Sequence, residues 1–215
     1  MEVFFVNYSL ICLLSYLIGS IPFSYILTKK ITDKDITKSG TGNAGAMNSY
    51  EVTGSKKTGI IVLILDFLKG IIPAIFLTYI LELPFEFSLL PLMLIIAGHN
   101  FSIFLKFKGG RGLATSAGIS LVVNFWLVIF WLIVFFIMYM VKKNIHIGNI
   151  FATILLPIFV TFTGDIIIKL NFIDFNGIFS DFNLLLTYTA MMSLQILIKH
   201  LNPLIEIITE YKKNK

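Results

Sequence analysis

The chain has 215 residues, of which 57% are hydrophobic and only 13% are charged. Soluble domains carry about 25% charged residues, so this composition excludes an ordinary soluble domain and indicates an integral membrane protein. The net charge of +5 suits anionic lipid headgroups. We expect no nucleic-acid binding, because no basic surface interleaved with aromatic residues occurs outside the loops.

The hydrophobic runs predict seven transmembrane helices, because a bilayer core needs about 20 apolar residues per helix. The first run begins with Glu2 instead of the basic residues of a signal peptide, which predicts a retained helix. The fourth is short, and its boundary with the fifth lies near Asn124. The predicted fold is therefore all-α, a single polytopic membrane domain over 1–215. In chain order the helices are placed at about 3–27, 58–80, 87–105, 112–123, 125–141, 147–164 and 183–199.

Charge placement predicts the orientation of these helices. Of the 17 basic residues, 15 fall in four segments, 29–57, 106–111, 142–143 and 199–215. These segments share one side of the membrane if the helices alternate in direction, and the other side carries acidic residues with Lys169. Because positively charged loops stay in the cytoplasm, we predict an N-terminus outside and a cytoplasmic C-terminus.

The longest polar segment, 29–57, contains the glycine-rich sequence KSGTGNAGAMN. Gly40 and Gly42 permit positive φ and a close approach of a ligand to the main chain. Hydroxyl and amide groups that suit phosphate or hydroxyl oxygens come from Thr41, Asn43 and Asn48. A flexible linker is the competing interpretation. A binding site is favoured by the preceding GSIP break at 19–22 and by a second glycine-rich loop on the same predicted side.

Polar residues also occur inside the predicted spans. Asp66 and Lys69 lie three residues apart, on one face of a helix. An intramembrane charge is functional by default, but here we expect a structural ion pair that holds helices together. His99 and Asn100 lie near the inner end of the third span, and such a pair either faces a site or is satisfied by a neighbouring helix. The sequence leaves both alternatives open.

The second glycine-rich loop reads FKGGRGLATSAG, residues 107–118. Its glycines at 109, 110 and 112 precede a predicted helix, and backbone N–H groups at a helix start bind anions. Arg111 adds a fixed positive charge that can hold a phosphate through two N–H groups. The pattern is not a Walker loop. The alternative is a tight turn with snorkelling basic side chains.

The last span ends in KHLNP, with His200 and Asn202 at its cytoplasmic end and Pro203 expected to break the helix. The single cysteine, Cys12, excludes an internal disulfide and gives no metal cluster, so we expect no metal and no cofactor. No nucleophile–histidine–carboxylate pattern is apparent. An enzyme with this sequence would therefore work by binding and positioning a phosphate-bearing substrate.

Four segments in order resemble the PlsY family of acyl-phosphate:glycerol-3-phosphate acyltransferases: GSIPFSYIL, SGTGNAGAMN, LDFLKG and AGHNFSIFLKFKGGRGLATSAG. The resemblance covers nearly the whole chain. It implies seven helices with the N-terminus outside, in the bacterial plasma membrane. It also implies acyl transfer from acyl phosphate to glycerol 3-phosphate, which gives lysophosphatidate for phospholipid biosynthesis. Both substrates and the lipid bilayer are then partners, and an acyl-phosphate-producing enzyme is a candidate partner.

The resemblance implies a set of functional residues. The catalytic ones are Thr41, His99, Arg111 and His200. The substrate-binding ones are Gly40, Gly42, Asn43, Asn48, Gly109, Gly110, Gly112 and Asn202.

This sequence departs from the family pattern at several of these positions. Thr41 replaces a serine, Arg111 replaces a lysine, and Glu51 occupies the position of an arginine. His200 and Asn202 are two residues apart instead of three. A catalytically inactive or substrate-shifted paralogue that binds a phospholipid or phosphate ester is therefore the alternative function. A transporter is disfavoured, because no inverted repeat is evident.

Overall fold

A computed structural model describes residues 2–171 and 179–213. No strand occurs among these residues, which confirms the predicted all-α class. Shorter helical turns occur at Ile36–Lys38, Phe76–Ile80 and Ile103–Leu105. The described residues form nine α-helices: α1 (Glu2–Ser20), α2 (Phe23–Thr32), α3 (Ala46–Thr53), α4 (Lys56–Ile75), α5 (Phe85–Asn100), α6 (Leu113–Val123), α7 (Phe125–Lys142), α8 (Ile145–Lys169) and α9 (Phe182–Lys213).

Six helical segments of the described residues are long and apolar enough to cross a membrane. Helix α6 has 11 residues and extends about 16 Å at 1.5 Å per residue, which is short against a hydrocarbon core of about 30 Å. The membrane protein class is confirmed, whereas the count of seven spans and the orientation of the termini stay predictions. The six segments are Asn7–Thr32, Lys56–Ile80, Phe85–Leu105, Phe125–Lys142, Ile145–Lys169 and Phe182–Lys213.

The first predicted span is interrupted where the sequence indicated. Helix α1 ends at Ser20 and α2 begins at Phe23, because Pro22 has no N–H to donate and its ring clashes with the preceding turn. The ammonium group of Lys69, on α4, donates to the carbonyl oxygen of Ile21 at 3.0 Å. A lysine from a neighbouring helix thus satisfies a backbone oxygen in the break.

The chain divides into two compact units, Met1–Val122 and Val123–Lys215. Helices α1 to α5 and nearly all of α6 belong to the first unit, and α7 to α9 belong to the second. The single-domain organisation over 1–215 stays a prediction.

Glycines let helices of the first unit approach closely. A Cβ added to Gly98 on α5 would collide with the Tyr16 carbonyl on α1. A Cβ added to Gly70 on α4 would collide with the Thr115 carbonyl on α6. Small residues at such crossings bring backbones into contact inside a membrane. These two crossings place α4, α5 and the start of α6 around the break after α1.

In the second unit, α8 packs between α7 and α9. The rings of Phe130 and Phe159 stack with centroids 3.9 Å apart. Thr153 links the three helices: its hydroxyl accepts from the Trp131 indole N–H at 3.1 Å. Its carbonyl accepts from the Ser193 hydroxyl at 3.0 Å.

Two predicted helix boundaries have opposite outcomes. The boundary at Asn124 is confirmed, because its side chain accepts from the Trp126 amide at 3.0 Å and so caps α7. The prediction that Pro203 breaks the last helix is wrong, because α9 continues through it to Lys213. A proline removes one backbone hydrogen bond, but a helix can bend there and continue.

Candidate active site

The first glycine-rich loop folds around the side chain of Asn48, which is 1% exposed. Its Nδ2 donates to the carbonyls of Ile36, Ser39 and Asn43 at 3.2, 3.0 and 2.9 Å. Its Oδ1 accepts from the Thr41 amide at 3.0 Å. Asn48 therefore shapes the loop through both ends of its amide. Its predicted contact with substrate stays a prediction.

Two glycines of this loop allow its backbone to turn. Gly40 and Gly42 have φ of +58° and +69°, a left-handed conformation that glycine adopts at no steric cost. A Cβ on Gly40 would also collide with Oδ1 of Asn48. Thr41 is exposed and Asn43 is partly exposed, so both remain accessible to a ligand.

Helix α3 follows this loop and was not predicted from the sequence. It ends at Thr53, and Gly54 forms a left-handed C-cap with φ of 67° and an amide hydrogen bond to the Tyr50 carbonyl. Glu51 lies in the last turn of α3 and is exposed. Its carboxylate is therefore accessible to solvent.

The second glycine-rich loop closes onto His99 at the end of α5. The Gly110 amide donates to the His99 carbonyl at 3.0 Å. A Cβ on Gly109 would collide with that carbonyl, and one on Gly110 would collide with Nε2 of the His99 ring. The same Cβ would lie 2.8 Å from the Ala44 carbonyl. The two glycine-rich loops therefore meet at Gly110, beside His99.

The loop then enters α6 as the sequence predicted. Gly112 has φ of +83°, and a Cβ there would lie 2.6 Å from Oδ1 of Asn100. Helix α6 begins at Leu113, two residues after the partly exposed Arg111. The arginine therefore stands at a helix start, where backbone N–H groups favour an anion.

A buried charged cluster lies beside His99. The Lys69 ammonium is 2.8 Å from Oδ1 of Asp66, which confirms the predicted ion pair. Nδ1 of His99 is 3.6 Å from the same oxygen, and the three side chains are 4–6% exposed. The Thr115 hydroxyl donates to the Asp66 carbonyl at 3.0 Å and ties α4 to α6. Buried charges need such partners, because desolvation is costly.

A polar cavity of about 10 Å³ lies where the break after α1, the charged cluster and the second loop meet. That volume holds about one water-sized group. An apolar groove of about 390 Å³ runs along α4 as far as Phe76. Lys69 and Ile21 line both spaces. The two spaces therefore share a boundary at these two residues.

His200 and Asn202 lie on α9, in the second unit. His200 is 1% exposed, and its Nδ1 is 2.9 Å from the Ile196 carbonyl oxygen. Its ring meets the His146 ring edge-on, with centroids 6.2 Å apart. Asn202 is exposed. The participation of His200 and Asn202 in the site stays a prediction.

The structure thus brings together the two glycine-rich loops and His99, as the sequence led us to expect. Lys69 and Ser20 are among the cavity-lining residues that were not predicted as parts of a site. Lys69 was assigned a structural role alone, although a charge inside a span is a functional signal. Ser20 was not singled out, although it stands in the GSIP break.

A model of the family described as glycerol-3-phosphate acyltransferase matches residues 9–210. The chain is 39% identical over 152 residues to a glycerol-3-phosphate acyltransferase of Endomicrobium trichonymphae, covering 71% of this chain and 75% of that protein. It is 40% identical over 162 residues to one of Macrococcus caseolyticus, covering 75% and 82%.

The fold is similar to a crystal structure of PlsY, an integral membrane glycerol 3-phosphate acyltransferase, in its glycerol 3-phosphate form. The TM-score is 0.78 with 26% identity, covering 95% of this chain and 93% of that chain. The lysophosphatidic acid form of PlsY gives a TM-score of 0.76 at 25% identity with the same coverage.

Proposed function

Because this chain belongs to the glycerol-3-phosphate acyltransferase family, we propose that it transfers a fatty acyl group from acyl phosphate to glycerol 3-phosphate. The products are lysophosphatidate and inorganic phosphate. The observation that carries this proposal is the meeting of both glycine-rich loops at Gly110, beside an apolar groove with the volume for an acyl chain. Two phosphate-bearing substrates, one with a hydrocarbon tail, match a site of this kind.

The reaction needs no protein nucleophile. A hydroxyl oxygen of glycerol 3-phosphate attacks the acyl carbonyl carbon, and the carbonyl electron pair moves onto its oxygen. When that pair returns, the bond from the carbon to the phosphate oxygen breaks, and phosphate leaves with the bonding electrons. The attacking hydroxyl gives its proton to the departing phosphate. Because acyl phosphate is an activated mixed anhydride, positioning and charge stabilisation supply the catalysis.

Each of the two loops binds a different substrate. Backbone N–H groups at Gly109 and Gly112 bind one phosphate with the Arg111 guanidinium. Gly110 shapes this loop, because its own amide donates to the His99 carbonyl. Thr41 and Asn43 position the other substrate, on a turn that Gly40, Gly42 and Asn48 hold in shape. His99 keeps the second loop in place through its contacts with Gly110 and Asp66. His200 and Asn202, on α9, remain predicted site residues from the family resemblance.

The cellular setting combines the orientation that the charge distribution predicts with the membrane and the acyl donor that the family resemblance implies. The protein lies in the bacterial plasma membrane as one domain of seven spans, with the N-terminus outside and the basic loops in the cytoplasm. Glycerol 3-phosphate reaches the loops from the cytoplasm. The acyl donor comes from an acyl-phosphate-producing enzyme.

The test is turnover by purified protein in lipid nanodiscs. With acyl phosphate and glycerol 3-phosphate, we expect lysophosphatidate and inorganic phosphate in equal amounts. Acyl-CoA and acylated acyl carrier protein are the control donors, and neither should give product. Absence of lysophosphatidate with acyl phosphate as the donor, with correctly folded protein, would contradict the proposed activity.

Glu51 favours a second candidate, a paralogue that binds glycerol 3-phosphate or lysophosphatidate without turnover. A carboxylate near a phosphate is repulsive, whereas an arginine at that position would attract it. Calorimetry separates the two candidates. Saturable binding of glycerol 3-phosphate together with no product from acyl phosphate would establish the non-catalytic function.

A further inference from the structure

Ser20, at the end of α1, carries a buried hydroxyl with no hydrogen-bond partner among the described residues. The residue is 1% exposed and lines the small polar cavity. Buried polar groups are nearly always hydrogen-bonded, and one without a partner loses free energy through desolvation. The Ser20 hydroxyl is therefore expected to bond to a group that enters the cavity.

Lys69 lines the same cavity and is held in a fixed position. Its ammonium group contacts Asp66 at 2.8 Å and the Ile21 carbonyl at 3.0 Å. It also lies 5.7 Å from the centroid of the Phe23 ring. An ammonium group has three N–H donors, and the two oxygens account for two of them. The third can donate to a ligand oxygen.

The size of the cavity limits that ligand. About 10 Å³ is room for one water-sized group, which suits a single oxygen atom better than a whole phosphate. Lys69 is the charged residue among those that line the apolar groove, and it also lines the cavity. An acyl chain in the groove would place its polar end at Lys69. The first polar atom at that end of an acyl donor is the carbonyl oxygen, so this oxygen would lie beside the ammonium group.

We propose that Ser20 and Lys69 bind the carbonyl oxygen of the acyl donor and stabilise the negative charge that develops on it. This inference rests on the proposed acyltransferase function. The electron pair moves onto this oxygen when the hydroxyl attacks and returns when the phosphate leaves. Neither residue forms a covalent bond or gives up its proton. Asp66 and the Ile21 carbonyl hold the ammonium in place before the reaction, which is the condition for effective electrostatic stabilisation.

Ser20→Ala tests the hydroxyl. Removing one donor from such a site lowers kcat by about a hundredfold or more in a well-studied protease, and we expect a fall of at least about tenfold here. KM for glycerol 3-phosphate should change less than twofold. Ser116→Ala is the matched control, because Ser116 is also buried with no hydroxyl partner among the described residues and does not line the cavity. Wild-type kcat in Ser20→Ala would overturn the assignment of Ser20.

The double variant Asp66→Asn/Lys69→Met tests the lysine. It removes both charges of the buried pair, so no uncompensated ion remains to prevent folding. A purely structural pair predicts a folded protein with wild-type kcat, and that result would overturn the assignment of Lys69. We expect a folded protein whose kcat falls at least about tenfold. If the double variant does not fold, Ser20→Ala decides alone.

Failure of this inference is distinguishable from failure of the proposed function. If the wild-type protein makes no lysophosphatidate from acyl phosphate, the acyltransferase function fails. If it is active and both variants match its kcat, the function stands and the carbonyl-binding role of Ser20 and Lys69 fails.

Discussion

The ring of His99 occupies the space beside Gly110, so that a Cβ on Gly110 would collide with Nε2 of His99. The two residues are also joined through the backbone, because the Gly110 amide donates to the His99 carbonyl at 3.0 Å. A histidine at the end of one membrane helix thereby sets the path of the glycine-rich loop that leads into the next. The first prediction tests this contact.

Gly110→Ala should destabilise the protein by about 1–3 kcal/mol, the usual cost of overpacking, and should lower kcat/KM for both substrates. Thermal unfolding in detergent measures the first effect. His99→Ala/Gly110→Ala provides the control, because loss of the ring removes the shortest contact of the added methyl group and leaves the one with the Ala44 carbonyl at 2.8 Å. The cost of Gly110→Ala should then be smaller in the His99→Ala background. Equal costs in both backgrounds would contradict a direct contact.

Arg111→Ala should raise KM for a phosphate substrate at least about tenfold, because a charge-assisted contact to phosphate contributes about 1.5–3 kcal/mol. Arg111→Lys should retain most of the affinity, since it keeps the positive charge. Lys108→Ala is the matched control: Lys108 is an exposed cation in the same loop, and its loss should leave KM nearly unchanged. Initial-rate kinetics at fixed ionic strength measure all three. Equal effects at 108 and 111 would indicate only a general attraction by the loop.

Asn48→Ala should loosen the first loop, because it leaves the carbonyls of Ile36, Ser39 and Asn43 without their common donor. A loss of about 1–3 kcal/mol is expected for buried groups left without partners. Hydrogen exchange at the Thr41 amide should become faster. Asn43→Ala is the comparison, since it removes a side chain while keeping the carbonyl that Asn48 bonds. It should raise KM and leave exchange at Thr41 unchanged; the reverse pattern would contradict these roles.

Glu51→Arg should raise kcat/KM for glycerol 3-phosphate by about tenfold or more, because one charge-assisted hydrogen bond to a phosphate contributes about 1.5–3 kcal/mol. Glu51→Gln separates the two contributions, since it removes the repulsion without adding a cation. Its kcat/KM should fall between those of the wild type and Glu51→Arg. Loss of activity in Glu51→Arg would show that Glu51 has its own role in an active wild-type enzyme. We would then expect the preferred acyl acceptor to differ from glycerol 3-phosphate.

Ile72→Trp should narrow the apolar groove about 4.5 Å along α4 from Lys69, at 1.5 Å per residue. We expect KM for a long-chain acyl phosphate to rise several-fold and kinetics with acetyl phosphate to remain unchanged, because only the long chain passes Ile72. Leu63→Trp is the matched control: Leu63 is 49% exposed and lies on the opposite face of α4, at about 100° per residue. Equal effects of both variants would contradict an acyl chain in the groove.

Several features of this protein follow from the sequence alone, because they depend on neighbouring residues. Twenty or so apolar residues without charge specify a membrane helix, and Pro22 specifies the break after α1. Asn124 marks the start of α7, and the glycines before Leu113 mark the start of α6. Pro203 shows the limit of this reasoning, since a local helix breaker did not end α9.

Only the tertiary structure decided how the site is assembled. The Lys69 ammonium donates to the Ile21 carbonyl, 48 residues earlier in the chain. The contact between Gly110 and His99 likewise cannot be predicted from the hydrophobic periodicity of the sequence. The sequence indicated that Asn48 binds phosphate, whereas in the structure its side-chain amide forms hydrogen bonds with the backbone around its own loop. These contacts depend on how closely helices cross at glycines such as Gly70 and Gly98. The sequence therefore supplies the polar groups, and helix packing decides which of them face a cavity.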